Sequence, residues 1–152
     1  NTGARFEYLN EPDKTLSAQQ PQHSGWSSFG DIGHLDEDGY LFLSDRKAFM
    51  IIAGGVNIYP QEAENVLLMH PSVADATVFG IPDADMGEQV KAVVEPVDWQ
   101  PSGPALESEL IAFCRSKLAS LKCPKSIDFV KRLPRDDAGK LAKRALRDRY
   151  WE

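Results

Sequence analysis

Two hydrophobic rhythms alternate along the 152-residue chain. Residues 49–53 form a short unbroken apolar run, the pattern of a buried strand, and it stops at Gly54-Gly55. A double glycine lets the backbone turn sharply and leaves no Cβ in the way of a molecule lying against it. Pro60 suits the first turn of a helix. Ala63, Val66, Leu67 and His70 then share one face over 60–69, with Glu62 and Glu64 in the early turns, where acids complement the helix dipole. His70-Pro71 closes that helix. Residues 73–80 read as a strand, Ile81-Pro82-Asp83 as a turn, and 88–97 as a second, partly alternating strand. Leu110, Ile111, Phe113, Cys114, Leu118 and Leu121 recur at three- and four-residue steps, which predicts a helix over 106–121. A short third strand over 126–130 and a basic helix over 141–150 complete the pattern.

The first 45 residues follow another logic. Asp36-Glu37-Asp38-Gly39 is a hairpin turn signal between Ile32/Leu35 and Tyr40-Leu41-Phe42-Leu43. Residues 1–25 are polar, carry Pro12 and Pro21, and hold too few apolar side chains for a core. Glu11-Pro12-Asp13-Lys14-Thr15 suits the start of a short helix. The segment reads as the trailing edge of something larger, and with no initiator Met the chain reads as a fragment or processed product. The expected fold is α+β: a β-hairpin, then a small three-stranded sheet packed by helices. The expected division is 1–45, the tail of a larger N-terminal domain with its hairpin, and 46–152, a C-terminal domain.

Composition narrows the classes. Hydrophobic residues at 42% and charged residues at 26% are ordinary for a globular domain. No apolar run approaches the roughly 20 residues of a membrane-spanning helix, and no signal-peptide pattern opens the chain. Cys114 and Cys123 show neither metal-ligand spacing nor a disulfide framework, which favours packed, idle thiols in a reducing cytoplasm. The net charge of −6 conceals a basic end: over 115–149, twelve Lys and Arg stand against four Asp. No groove-reading motif or aromatic platform accompanies that charge, so nucleic acid is disfavoured.

Three blocks carry the chemistry. They are Gly25-Trp26 with Gly30-Asp31-Ile32-Gly33 and Asp38-Gly39-Tyr40-Leu41, then 44–60 with its Asp45-Arg46-Lys47 cluster and double glycine, then Leu133-Pro134-Arg135-Asp136-Asp137-Ala138-Gly139-Lys140. In this order and spacing they resemble the C-terminal part of an AMP-forming acyl-CoA synthetase, such as a fatty-acid–CoA ligase, of the adenylate-forming ligase superfamily. The likeness spans about residues 3–149. It implies a catalytic role for Lys140, whose compact ammonium on a long stem suits a transition state in which a carboxylate attacks an α-phosphate and pyrophosphate leaves. It also implies that Asp31 holds the ribose of ATP and AMP, accepting from its vicinal hydroxyls. Taken alone, Asp31 also suits an Asx-turn. The likeness sends Arg46, with its planar fork of donors, to the nucleotide phosphates; a surface pair with Asp45 is the plain alternative. Gly54 and Gly55 are implied to lie along the pantetheine arm of coenzyme A. The Gly-x-x-x-x-Gly-Lys-Ser/Thr phosphate loop is absent.

The implied mechanism swings this domain against a larger N-terminal one, presenting Lys140 in one pose and Gly54-Gly55 in the other. The pivot position, normally Lys or Asp, is Ala48 here, followed by Phe49. Phe29 stands where Thr or Ser usually precedes Gly-Asp, and Ala138 replaces a common Ser or Thr. The expected whole is an ATP-dependent ligase joining a fatty or other lipophilic acid to CoA, with ATP, CoA and Mg2+ as cofactors and the metal ligands outside these residues. The chain alone is expected to be inactive. The rivals are an adenylation domain that loads a carrier protein, an oxidative ligase of the luciferase kind, and a non-catalytic remnant that binds nucleotide or a partner.

Overall fold

The hairpin signal at Asp36 is realised by that residue's own side chain. Its carboxylate accepts from the Asp38 and Tyr40 amides, and Gly39 completes the turn at φ +85°. The computed structural model describes residues 7–20, 22–23, 25–100 and 102–151; the sequence readings at Pro21 and Pro101, and the start of the resemblance before residue 7, lie outside them. The chain divides into two compact units, 1–48 and 49–152.

In the first unit, α1 (Pro12–Ala18) is the short helix expected at Pro12. The strands β1 (Asp31–Leu35) and β2 (Leu41–Arg46) pair antiparallel, with a register irregularity after Ile32. Leu35, Leu41 and Leu43 are exposed on this two-stranded ribbon.

The second unit is built on one sheet. β3 (Ile51–Ala53) turns through Gly54-Gly55 into β4 (Val56–Ile58), and α2 (Pro60–Leu67) follows. Two long strands, β5 (Val73–Asp83) and β6 (Gly87–Pro96), pair antiparallel over nearly their whole length. After α3 (Pro104–Arg115), β7 (Ser126–Phe129) joins β6 in parallel, and α4 (Lys143–Asp148) closes the unit. The three expected strands are thus β5, β6 and β7. The β3–β4 ribbon extends them to five through the Ala53–Gly87 pair, in the order β4-β3-β6-β5 with β7 also on β6. The strand β4 had no counterpart in the sequence pattern, because three residues offer too little alternation to read.

Both faces of this sheet are covered, so β5 is buried continuously from Ala76 to Gly80. Ala76, Val78, Val90, Ala92 and Val94 pack with Ala63 and Leu67 of α2 and Leu106 and Leu110 of α3. The residues between them, Phe79 and Val93, join Leu133 and Leu146 in a second cluster on which Ile81, Leu141 and Tyr150 rest. The C-terminal segment is therefore held to the sheet by its own core. Around it, the Tyr150 hydroxyl donates to Asp128 Oδ2 at 2.6 Å and Lys91 Nζ donates to Asp128 Oδ1 at 2.6 Å. Burial together with that carboxylate pushes the Tyr150 phenol up to about 12.

Three boundaries differ from the sequence expectation. The stretch Ile81-Pro82-Asp83 continues β5 instead of turning, because Ile81 packs into the second cluster and an edge strand tolerates proline. The turn comes next, where Asp83 accepts from the Asp85 and Met86 amides. These hydrogen bonds, Met86's first, hold its carboxyl below the usual range. The helix expected to reach residue 121 ends at Arg115, where the Ser116 hydroxyl donates to the Phe113 carbonyl at 2.7 Å and competes with the helical ladder. The last helix starts at Lys143 and not at Leu141, because Leu141 bridges back to Arg135. Cys114 and Cys123 are both free and buried, and burial pushes the Cys114 thiol up to about 11, which suits packed thiols. Among the described residues no helix is long and apolar enough to cross a membrane.

Candidate functional site

Lys140 ends a small closed turn. Arg135 and Leu141 bridge antiparallel, the Asp136 amide donates to the Lys140 carbonyl at 2.9 Å, and the Gly139 amide donates to the Asp136 carbonyl at 2.8 Å. The Asp136 carboxylate then accepts from the Ala138 and Lys140 amides at 3.1 and 2.8 Å. Gly139 sits at φ +77°, which glycine adopts without strain. Residues 135–141 therefore form a hydrogen-bonded turn. Its last side chain is exposed, and among the described residues the Lys140 ammonium makes no hydrogen bond or ion pair.

The double glycine forms the two-residue loop of the β3–β4 hairpin, with Gly54 at φ +57° and Gly55 at φ +79°. Positive φ at both central positions is what a type I′ turn requires. The two glycines differ in surroundings. The Gly54 amide donates to the Met86 carbonyl at 2.8 Å, and a Cβ on Gly54 would stand 2.4 Å from Met86 Cε. A Cβ on Gly55 would meet nothing within 4 Å. The ribbon is seated further by Glu88, whose carboxylate accepts from the Ile52 amide at 2.6 Å.

Asp31 and Arg46 are direct cross-strand partners in the first hairpin, with Arg46 Nε 3.4 Å from Asp31 Oδ1. The surface partner anticipated for Arg46 was Asp45; instead Asp45 Oδ1 accepts from the Arg46 backbone amide. With side chains 60% and 40% exposed, the Arg46–Asp31 pair is weak enough for a ligand to replace. Ala48 is the last residue of the first unit, and a single 3-10 turn spans Lys47–Phe49. Phe29 is exposed.

Sequence reasoning missed one element. Glu64 was read only as an acid in an early turn that complements the helix dipole, yet it lies one turn after Pro60 and three residues before Leu67, on the buried stripe. There its Oε1 accepts from the Thr77 hydroxyl, the Val78 amide and Lys143 Nζ, at 3.2, 2.8 and 2.8 Å. The side chains of Lys143 and Glu64 are only 11% and 10% exposed. The Lys143 ammonium also sits 5.1 Å from the Phe49 ring centre. An acid interrupting an apolar stripe was the signal available.

Among the described residues no three His, Cys, Asp or Glu side chains gather as a metal would need. The described residues do not fit a magnesium site.

A compact α+β unit that carries an exposed lysine on a clamped turn and a bare glycine hairpin is a recognisable class. Residues 62–140 match the AMP-binding enzyme C-terminal domain, and the chain belongs to that family. It is 44% identical to the fatty acid–[acyl-carrier-protein] ligase ScoC of Streptomyces coeruleorubidus, over 99% of this chain and 28% of that protein. Its fold is similar to that of ATP-bound MatB from Rhodopseudomonas palustris, with a TM-score of 0.79 and 36% identity over 93% of this chain and 27% of that one. It is similar, too, to the o-succinylbenzoate CoA synthetase of Bacillus subtilis in complex with its acyl-adenylate intermediate, with a TM-score of 0.78 and 38% identity over 93% of this chain and 28% of that one. The chain thus spans a little over a quarter of the length of the relatives it matches.

Proposed function

We propose that the chain is the C-terminal part of an ATP-dependent ligase that activates a carboxylic acid as its acyl-adenylate and passes the acyl group to a thiol. The observation that carries this reading is the exposed Lys140 ammonium, without a partner among the described residues, on a turn that fixes its backbone, in a chain of this family. In the first half-reaction an acid carboxylate oxygen attacks the α-phosphorus of ATP, and the bond to the bridging oxygen breaks to release pyrophosphate. Lys140 neutralises the charge that gathers on both sides of that phosphorus. Asp31 accepts from the ribose hydroxyls, and Arg46 exchanges Asp31 for the nucleotide phosphates. In the second half-reaction the thiol sulfur, losing its proton, attacks the acyl carbon and AMP leaves. Gly54-Gly55 then borders the pantetheine arm, with Ala48 as the pivot between the two poses.

Coenzyme A is the first choice of thiol and a fatty or other lipophilic acid the first choice of substrate. The identity to a ligase that uses an acyl-carrier protein favours a second reading, in which the acceptor is carrier-bound pantetheine. A pyrophosphate-release screen of the full-length protein over acids of graded chain length, followed by thioester assays with CoA and with a loaded carrier, tests both. Nucleotide binding with no turnover on any acid would contradict them.

Gly55→Ala is expected to slow thioester formation several-fold while adenylation holds, because its methyl group points into open space where the thiol arm would run. Both substitutions put an L side chain at positive φ and are expected to lower the melting temperature, Gly54→Ala further because its Cβ also meets Met86. Single-turnover assays of each half-reaction, with thermal unfolding alongside, separate the two effects.

A further inference from the structure

Arg135 holds both the turn that carries Lys140 and the sheet beneath it. Its Nη1 donates to the Gly139 carbonyl at 2.9 Å, and its Nη2 pairs with Asp75 Oδ2 on β5. The other Asp75 oxygen accepts from the Ala76 amide, so the carboxylate is itself oriented by the strand. Among the described residues, this ion pair is the only polar link from residues 135–140 to the sheet. The peptide unit joining Gly139 to Lys140 is consequently held at both ends: its carbonyl by Arg135 and its amide by the Asp136 carboxylate, at 2.8 Å. That peptide plane sets the direction in which the Lys140 side chain leaves the backbone.

We propose that Arg135, braced by Asp75, is a positioning residue that aims Lys140 for acyl-adenylate formation. A lysine in place of Arg135 supplies one cationic donor centre and not a planar fork, so it cannot reach carbonyl and carboxylate in the same geometry. The link is a surface one, with the Arg135 side chain 42% exposed, so its removal leaves the Leu133–Leu141–Leu146 packing intact. Positioning errors of an ångström are enough to cost a reaction orders of magnitude. This inference rests on the adenylation role proposed for Lys140.

The test measures both half-reactions in the full-length protein, with thermal unfolding recorded for every variant. Arg135→Gln and Arg135→Lys are expected to lower kcat for acyl-adenylate formation by about tenfold or more. Asp75→Asn, which keeps an acceptor but loses the charge, is expected to give a smaller drop in the same step. Thioester formation from supplied acyl-adenylate should stay within about twofold, and the melting temperature should hardly move. If the Arg135 variants leave adenylation intact, or slow both half-reactions equally, the positioning role is overturned. Lys140→Ala serves as the control. Loss of adenylation in that variant, with none in Arg135→Gln, removes only the clamp, whereas unimpaired adenylation in Lys140→Ala removes the clamp and the reading beneath it together.

Discussion

Lys140→Ala in the full-length protein is expected to slow acyl-adenylate formation by about a hundred- to a thousandfold, the scale on which removal of one preorganised charge-stabilising donor is felt. Transfer from a supplied acyl-adenylate to the thiol should change by no more than a few-fold, because the proposed mechanism assigns that step to the glycine hairpin and not to the lysine. The asymmetry comes from the fold. Lys140 sits on the turn between Arg135 and Leu141, whereas Gly54-Gly55 closes the ribbon hydrogen-bonded to the β5–β6 turn. On the proposed reading, two separate loops of one unit serve the two half-reactions. Rapid-quench measurement of each half-reaction checks this, and an equal loss in both would remove Lys140 from the first.

The second large effect is on stability. Glu64→Ala is expected to cost about 3–5 kcal/mol of unfolding free energy, as does breaking other buried pairs by removing one partner. It leaves the Lys143 ammonium without its anion and the Val78 amide of an edge strand without its acceptor. Lys143→Met is expected to be costly too, since Glu64 keeps two neutral donors but loses its cation. Replacing both partners with apolar residues should recover much of the loss, because no uncompensated charge then remains. Denaturant unfolding of the single and double variants forms the cycle that measures the coupling.

Much of this fold was readable wherever a segment's rhythm was long enough to be unambiguous. The α2 stripe, the β5 and β6 strands and the Asp36–Gly39 turn all follow from local pattern. So do the positions of Gly54-Gly55, Asp31 and Arg46 within turns and strand ends, since glycines and aspartates mark such places in the chain. What escaped depends on contacts distant in sequence. The Glu64–Lys143 pair joins residues 79 apart, and nothing near either one announces the other. The pairing of β4 onto β3 escaped, and the ribbon is seated by a hydrogen bond from the Ile52 amide to Glu88, 36 residues on. The cross-strand approach of Arg46 to Asp31 follows from a register that a one-residue slip would have undone. The turn that holds Lys140 reads as a loop in sequence because its order comes from side chains, Asp136 and Arg135, and not from a repeating backbone pattern.

On the proposed reading, the Lys140 amine enters a nucleotide site formed mainly by residues outside this chain. Amine labelling of the full-length protein, quantified by mass spectrometry at Lys140, tests it most directly. In the ligand-free protein the amine should react readily, as an exposed lysine does. With ATP and the acid bound it should be protected, and with acyl-adenylate and thiol acceptor it should become reactive again. Equal reactivity in all three states would contradict the account.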